Sequence, residues 1–177
     1  MIRLFVALAL PDDVALGLAA LQTGVPGARW QTRDQLHLTL RFIGDVDERI
    51  ASDADDALSG IAAPGFQLAL KGVGEFGGKT PHALWAGVRD REPVQFLQRK
   101  IETALQRAGL PPEQRKFLPH VTLARLKGSP RGRIADFLAD HALYASPAFD
   151  VRAFHLYSSV MAPKGSLYRA ERDYALK

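Results

Sequence analysis

The sequence predicts a fold of interleaved strands and helices, built as two copies of one lobe. Two observations carry that expectation. Apolar positions switch repeatedly between the two-residue period of a strand and the 3.6-residue period of a helix. The order of segments also repeats: strand, helix, strand opening on His-x-Thr-Leu, helix, strand. It occurs once in residues 1–80 and again in 81–177. Phe5 lies 32 residues before His37, and Trp85 lies 35 before His120. That is duplication of a whole lobe, not a short solenoid repeat. Two copies of a lobe pack about a pseudo-twofold axis, which makes equivalent residues face each other across a cleft. The 177 residues are expected to form one bilobal domain.

Taken in order, residues 2–9 read as a strand. Asp12 or Asp13 caps a helix reaching about Gln22, broken by Gly24, Pro26 and Gly27. Leu36 to Ile43 is a strand stopped by Gly44, followed by a helix from Asp47 to Leu58. Phe66 to Lys71 alternates as a strand. Gly72 to Pro81 reads as a loop or hairpin; its glycines invite comparison with a phosphate cradle, but the helix such a cradle needs is missing after it. In the second half, Ala83 to Arg89 is a strand. Pro93 to Ala108 is a helix with Val94, Leu97, Ile101 and Leu105 on one stripe. His120 to Leu126 is a strand, Ile134 to Ala142 a helix and Phe149 to Phe154 a strand. His155 to Val160 and Leu167 to Leu176 are strands around a turn at Pro163-Lys164-Gly165.

Composition narrows the classes. Hydrophobic residues make up 47% of the chain, enough for a core. There is no cysteine, which removes disulfides, thiolate chemistry and Cys-based zinc sites and suits a reducing cytoplasmic setting. The apolar opening, Met1 to Leu10, superficially resembles a signal peptide. It is short and runs into Pro11-Asp12-Asp13, so it reads as a buried strand. No apolar stretch is long enough to cross a membrane. A net charge of +4 leans toward phosphate-bearing partners such as RNA, though scattered arginines make that a weak signal.

The chemistry is expected in the twin motifs, His37-Leu38-Thr39-Leu40 and His120-Val121-Thr122-Leu123. Strand alternation puts His37 and Thr39 on one face, as it does His120 and Thr122, and leaves the leucines and Val121 for the core. With 5 His, 6 Thr and 24 Leu in the chain, shuffling yields about 0.02 copies of His-x-Thr-Leu. Two copies at matching places are therefore a strong signal. Histidine titrates near neutrality, so a pair can supply one base and one acid. Phosphoryl transfer wants attacking and leaving oxygens in line, which a base and an acid related by a twofold meet. The threonine hydroxyls can hold the phosphate oxygens. Zinc would need three or four suitably spaced ligands, and neither His-x-x-x-His nor a carboxylate beside either histidine is present. A Gly-x-Ser-x-Gly nucleophile elbow is also absent. No metal and no cofactor is expected.

These motifs, with Arg3-Leu-Phe-Val-Ala-Leu-Ala-Leu-Pro11, Leu36-His-Leu-Thr-Leu-Arg-Phe-Ile-Gly44 and Phe117-Leu-Pro-His-Val-Thr-Leu-Ala-Arg125, resemble the 2H phosphoesterase superfamily. Within it they are similar to the RNA 2′,3′-cyclic phosphodiesterases, also called the 2′-5′ RNA ligase family. The resemblance implies a two-lobed, LigT-like α+β fold with antiparallel sheets flanking a cleft. It implies hydrolysis of a terminal 2′,3′-cyclic phosphate to a 2′-phosphomonoester. It also implies that some members join tRNA halves in the reverse direction. RNA with cyclic phosphate ends, or 2′,3′-cyclic nucleotides, are the expected partners of a monomeric enzyme. His120 is the expected base and His37 the acid, an order the site symmetry leaves open to exchange. A sibling activity on another small cyclic phosphate, or a binding module without catalysis, are the alternatives.

Further positions are weighed. Alternation puts Arg41 with His37 and Thr39, facing the cleft or a solvated strand end. It puts Arg125 on the face opposite Thr122, unless a bulge returns it to the phosphate. Phe5 and Phe42 can each stack on a base; core packing is the expectation for Phe42, while the resemblance implies that the strand of Phe5 lies near the cleft and leaves its ring open between stacking and core. Trp30 is rim or core. His82, His141 and His155 read as lone structural histidines.

Overall fold

A computed structural model describes all 177 residues, Met1–Lys177. Its elements come in the expected order. The first half holds strand β1 (Ile2–Ala9), helix α1 (Asp12–Ala19), strand β2 (Ala28–Trp30), a single 3₁₀ turn (Arg33–Gln35), β3 (His37–Val46), α2 (Glu48–Ser59), β4 (Phe66–Leu68) and β5 (Leu70–Phe76). The second holds β6 (Ala83–Val88), α3 (Glu92–Arg107), β7 (Val121–Leu126), α4 (Arg131–Asp140), β8 (Phe149–Val151), β9 (Ala153–Ala162) and β10 (Gly165–Ala175).

Local chemistry explains most boundaries. The Asp47 carboxylate accepts from the Ile50 amide and starts α2. Pro93 sits in the first turn of α3, where its missing N–H costs nothing. Val94, Leu97, Ile101 and Leu105 form that helix's buried stripe. Helix α1 is shorter than expected because its last turns tighten: Leu21 donates to the Leu18 carbonyl and Gln22 to that of Ala19. Two strands outrun the reading of their glycines. Gly44 takes a φ of +90° inside β3, so the strand bends there and continues to Val46. Strand β5 occupies the first part of the glycine-bearing segment. A Cβ on Gly74 would sit 2.2 Å from the Trp85 ring, so this glycine is what lets the indole lie against the strand.

The strands build an eight-stranded antiparallel sheet in the order β10-β9-β1-β3-β7-β6-β5, with β2 also on β7, and a small β4–β8 pair. Antiparallel α+β architecture is thus as expected, in one sheet running through both lobes. The halves trade outer strands. Strand β5 leaves the first half to pair with β6, and β9 leaves the second to pair with β1. One face of the sheet, through residues such as Leu4, Leu8, Leu38, Leu84 and Leu123, packs on apolar residues of all four helices in a core of 37 buried residues. Trp30 packs against this core and on Phe137. The opposite face carries the small cluster Phe5, Ala7 and Tyr157, and the cleft.

Candidate active site

The lobes join where the motif strands meet. Leu38 of β3 pairs antiparallel with Val121 of β7. These residues hold the same place in the two motifs, so a local twofold passes between them, as antiparallel pairing of equivalents requires. That register sets His37 level with Thr122 and Thr39 level with His120. Leu38 and Val121 are fully buried, which leaves both His/Thr pairs on the cleft face. His37, Thr39 and Thr122 line one chamber of about 200 Å³. Thr39 and His120 line the adjoining one, of about 590 Å³.

Matching irregularities then re-aim the residues just beyond each motif. In β3 the ladder to β1 skips Leu40, passing from Thr39 opposite Ala7 to Arg41 opposite Val6. In β7 the ladder to β6 skips Leu123, passing from Thr122 opposite Trp85 to Ala124 opposite Leu84. Each bulge reverses the alternation beyond it. Arg125 is therefore returned to the cleft, where it lines both chambers.

The same device corrects the expectations for Arg41 and Phe42. Arg41 turns into the protein and is only 6% exposed. Its Nε donates to Glu102 Oε2 at 2.5 Å, and its other nitrogens donate to the carbonyls of Phe42 and Pro111. Its guanidinium is a tie between β3, α3 and the segment leading to the second motif, so it is not free to grip a phosphate. Phe42 instead faces the cleft, 43% exposed. Phe42 lies five positions after His37, and Arg125 five after His120, so these two are equivalent. That spacing is a usable signal; the bulges that give it meaning are not visible in strand alternation. The ladders also revise the pairing of Phe5 with Trp85. Phe5 lies opposite Phe42 and Ala83 opposite Arg125, so Phe5 corresponds to Ala83 and Ala7 to Trp85.

The two histidines sit in unlike aromatic surroundings. His37 lies against Tyr157 (ring centroids 4.5 Å apart), Tyr168 (5.5 Å) and Phe5 (6.1 Å). Both tyrosines come from the β9–β10 hairpin, whose contribution is illegible in the motifs. Phe5 lines the smaller chamber, is only 4% exposed and stacks behind Phe42. His120 meets the edge of Phe76 (4.9 Å) and lies near Trp85 (6.2 Å). Its Nδ1 bonds the Leu118 carbonyl at 2.6 Å. An N–H there leaves the Nε2 lone pair free. The matching Nδ1 of His37 is buried with no hydrogen bond of good geometry, though the Gln35 carbonyl in the equivalent place still favours its protonation.

Burial, above all, lowers the pKa of His37 to about 4; Arg33 and His155 push the same way, and Gln35 and Asp34 oppose. Burial also lowers His120, with the Leu118 carbonyl opposing. Burial thus favours the neutral form of both rings at neutral pH. Arg115 and Lys116 stand at the rim of the His120 chamber, and Arg3, in a bidentate ion pair with Asp45, lines the other. Of the remaining histidines, His82 lines the His120 chamber beside Phe76, His155 pairs with Asp173 at 2.6 Å, and His141 packs on Phe137. No three His, Asp or Glu side chains converge to hold a metal ion.

Twin His-x-Thr strands meeting on a local twofold over an antiparallel sheet are the architecture of the two-histidine phosphoesterases. The chain belongs to the 2′-5′ RNA ligase superfamily, whose model matches residues 10–160. It is 27% identical to an RNA 2′,3′-cyclic phosphodiesterase of Archaeoglobus fulgidus over 97% of this chain and 99% of that protein. It is 30% identical to the Thermus thermophilus protein of the same name, covering 99% and 90%. Among solved structures it resembles TT0787 of Thermus thermophilus, with a TM-score of 0.83 at 27% identity over 98% of this chain and 97% of that one. It also resembles LigT of E. coli in its apo form, with a TM-score of 0.81 at 25% identity over 99% and 98%.

Proposed function

We propose that this protein hydrolyses the 2′,3′-cyclic phosphate at an RNA end to a 2′-phosphomonoester, with His37 and His120 as its acid and base. The observation that carries the reading is the Leu38–Val121 pair, which brings two His-x-Thr motifs onto one cleft. The names of the relatives support the substrate class. Thr39, Thr122 and Arg125 hold the phosphate oxygens; a guanidinium suits that task because its donors form a planar fork.

His120 is assigned as the base. The Leu118 carbonyl holds a proton on Nδ1 and leaves Nε2 to take one from water. His37 is assigned as the acid to the departing 3′ oxygen. Burial among the surrounding rings favours its neutral form, but a bound phosphodiester anion favours its imidazolium. Water attacks phosphorus as the 3′ P–O bond breaks; the water proton goes to His120 and the leaving oxygen takes one from His37. This puts the base and the acid on opposite sides of the phosphate, as in-line displacement needs. With a 5′-hydroxyl in place of water as the nucleophile, the same pair serves 2′-5′ joining of RNA ends, tRNA halves among them. The whole chain acts as one bilobal domain, a monomer in the cytoplasm; no helix is long and apolar enough to cross a membrane.

Phosphorus NMR of the product from adenosine 2′,3′-cyclic phosphate tests the proposal. The 2′-monophosphate is expected as the sole product, with chelator present or absent. A 3′-monophosphate, or no turnover, overturns it.

A further inference from the structure

Two paired strands at the edge of the cleft set one arginine directly opposite another. Arg29 of β2 lies level with Arg125 of β7. Ala28 and Trp30 on either side of Arg29 pack on the core, so both guanidiniums take the cleft face. Like charges in that relation repel, because cross-strand neighbours stand about 5 Å apart at Cβ. No carboxylate relieves them. Arg3, Arg33, Arg41 and Arg115, also near the motif strands, are matched by Asp45, Asp12, Glu102 and Glu113. Arg29 and Arg125 belong to no ion pair, and both are exposed. Lys127 extends the pair. Its amide continues the ladder by donating to the Gly27 carbonyl, and alternation brings its side chain to the face of Arg125. Arg125 and Lys127 lie five and seven residues after His120; at those places after His37 stand Phe42 and Gly44. The row of charge thus has no counterpart on the other motif strand. Arg29 is also confined beside the cleft. The turn between β9 and β10 closes on it, so that a Cβ on Gly165 would lie 2.9 Å from Arg29 Nη2 and 3.3 Å from Gln35 Nε2. Gln35 donates to the Ser166 carbonyl, and these two residues line the smaller chamber with Arg125.

We infer that Arg29 and Lys127 bind the next phosphate of the RNA, the 3′,5′ diester that joins the cyclic-ended nucleotide to the rest of its strand. Arg125 holds the reacting phosphate. Arg29 opposite it and Lys127 beyond it take the diester, and the strand leaves the cleft over β2 and the end of β7. A diester anion at Arg29 offsets the repulsion that the strand pairing builds in. The other rim is less suited, because Arg115 there is already matched by Glu113. The charge row gives a pseudo-symmetric cleft one direction of substrate entry, and it selects the end of an RNA strand over a free cyclic nucleotide. The inference rests on the proposed activity for its choice of ligand, and its test does not require turnover.

The test titrates the whole protein calorimetrically with adenylyl-(3′,5′)-adenosine 2′-phosphate and with the same dinucleotide carrying a neutral methylphosphonate link. The two ligands share their bases and terminal phosphate and differ in the charge of the link. In the native protein the charged link is expected to tighten binding about tenfold at low salt. It is also expected to steepen the fall of log K with log salt by about 0.7. Arg29→Gln with Lys127→Gln removes both increments and leaves binding of the methylphosphonate dinucleotide unchanged. Both side chains are exposed, so the variant folds, and circular dichroism checks that it does. Increments that survive in this variant overturn the inference, as does their absence in the native protein. Their loss in Arg115→Gln with Lys116→Gln instead puts the strand on the other rim and overturns it too. If the increments behave as expected while no cyclic phosphate is hydrolysed, the diester site stands and the proposed activity falls.

Discussion

Leu38 pairs with Val121 across the centre of the sheet, and each is the second residue of its own His-x-Thr-Leu motif. A single ladder contact between equivalent residues fixes how the two motifs sit. A slip of one residue in either strand would turn its histidine into the core and its leucine into the cleft. Both residues are wholly buried, so that error is costly.

The buried tie between Arg41 and Glu102 is expected to be structural. Arg41→Ala removes the donor to Glu102 Oε2 and to the Phe42 and Pro111 carbonyls in a mostly buried setting, while Glu102 Oε1 keeps Gln106 and the Glu113 amide. Breaking such a pair costs about 3–5 kcal/mol. Urea denaturation of Arg41→Ala should show that loss, and Arg41→Met with Glu102→Leu should recover much of it. A single substitution that leaves the midpoint unmoved contradicts the assignment.

The acid–base pair predicts a bell-shaped dependence of kcat/KM on pH. Burial lowers both histidines, His37 to about 4, so both limbs fall at lower pH than ordinary histidines would give. A bound phosphate anion favours the imidazolium and raises the pKa of the acid. The alkaline limb of kcat should therefore lie at higher pH than that of kcat/KM. Steady-state rates across pH measure both, and coincident alkaline limbs contradict the linkage.

Duplication, the sequence of elements along the chain and the His/Thr face are legible in spacing and alternation, because strands obey a strict two-residue period. The features that alternation misses lie where that period breaks. Arg41 and Arg125 change faces through a bulge after each motif, and a bulge leaves no fixed mark in side-chain type. Tyr157 and Tyr168 reach His37 from the β9–β10 hairpin, which pairs with β1 rather than with its own half. Such long-range pairing has no local signature. The glycines before Pro81 are legible as special, but the reason for Gly74 is the Trp85 ring of the neighbouring strand.

The most direct measurement is the single-turnover rate on adenosine 2′,3′-cyclic phosphate for the native protein, His37→Ala, His120→Ala and the double variant. Groups that act as one unit lose their contribution together. Each single variant is expected to fall by about 10²–10⁴-fold, and the double variant to fall little further. Near-native turnover in either single variant, or losses that multiply in full, would contradict one shared two-histidine site.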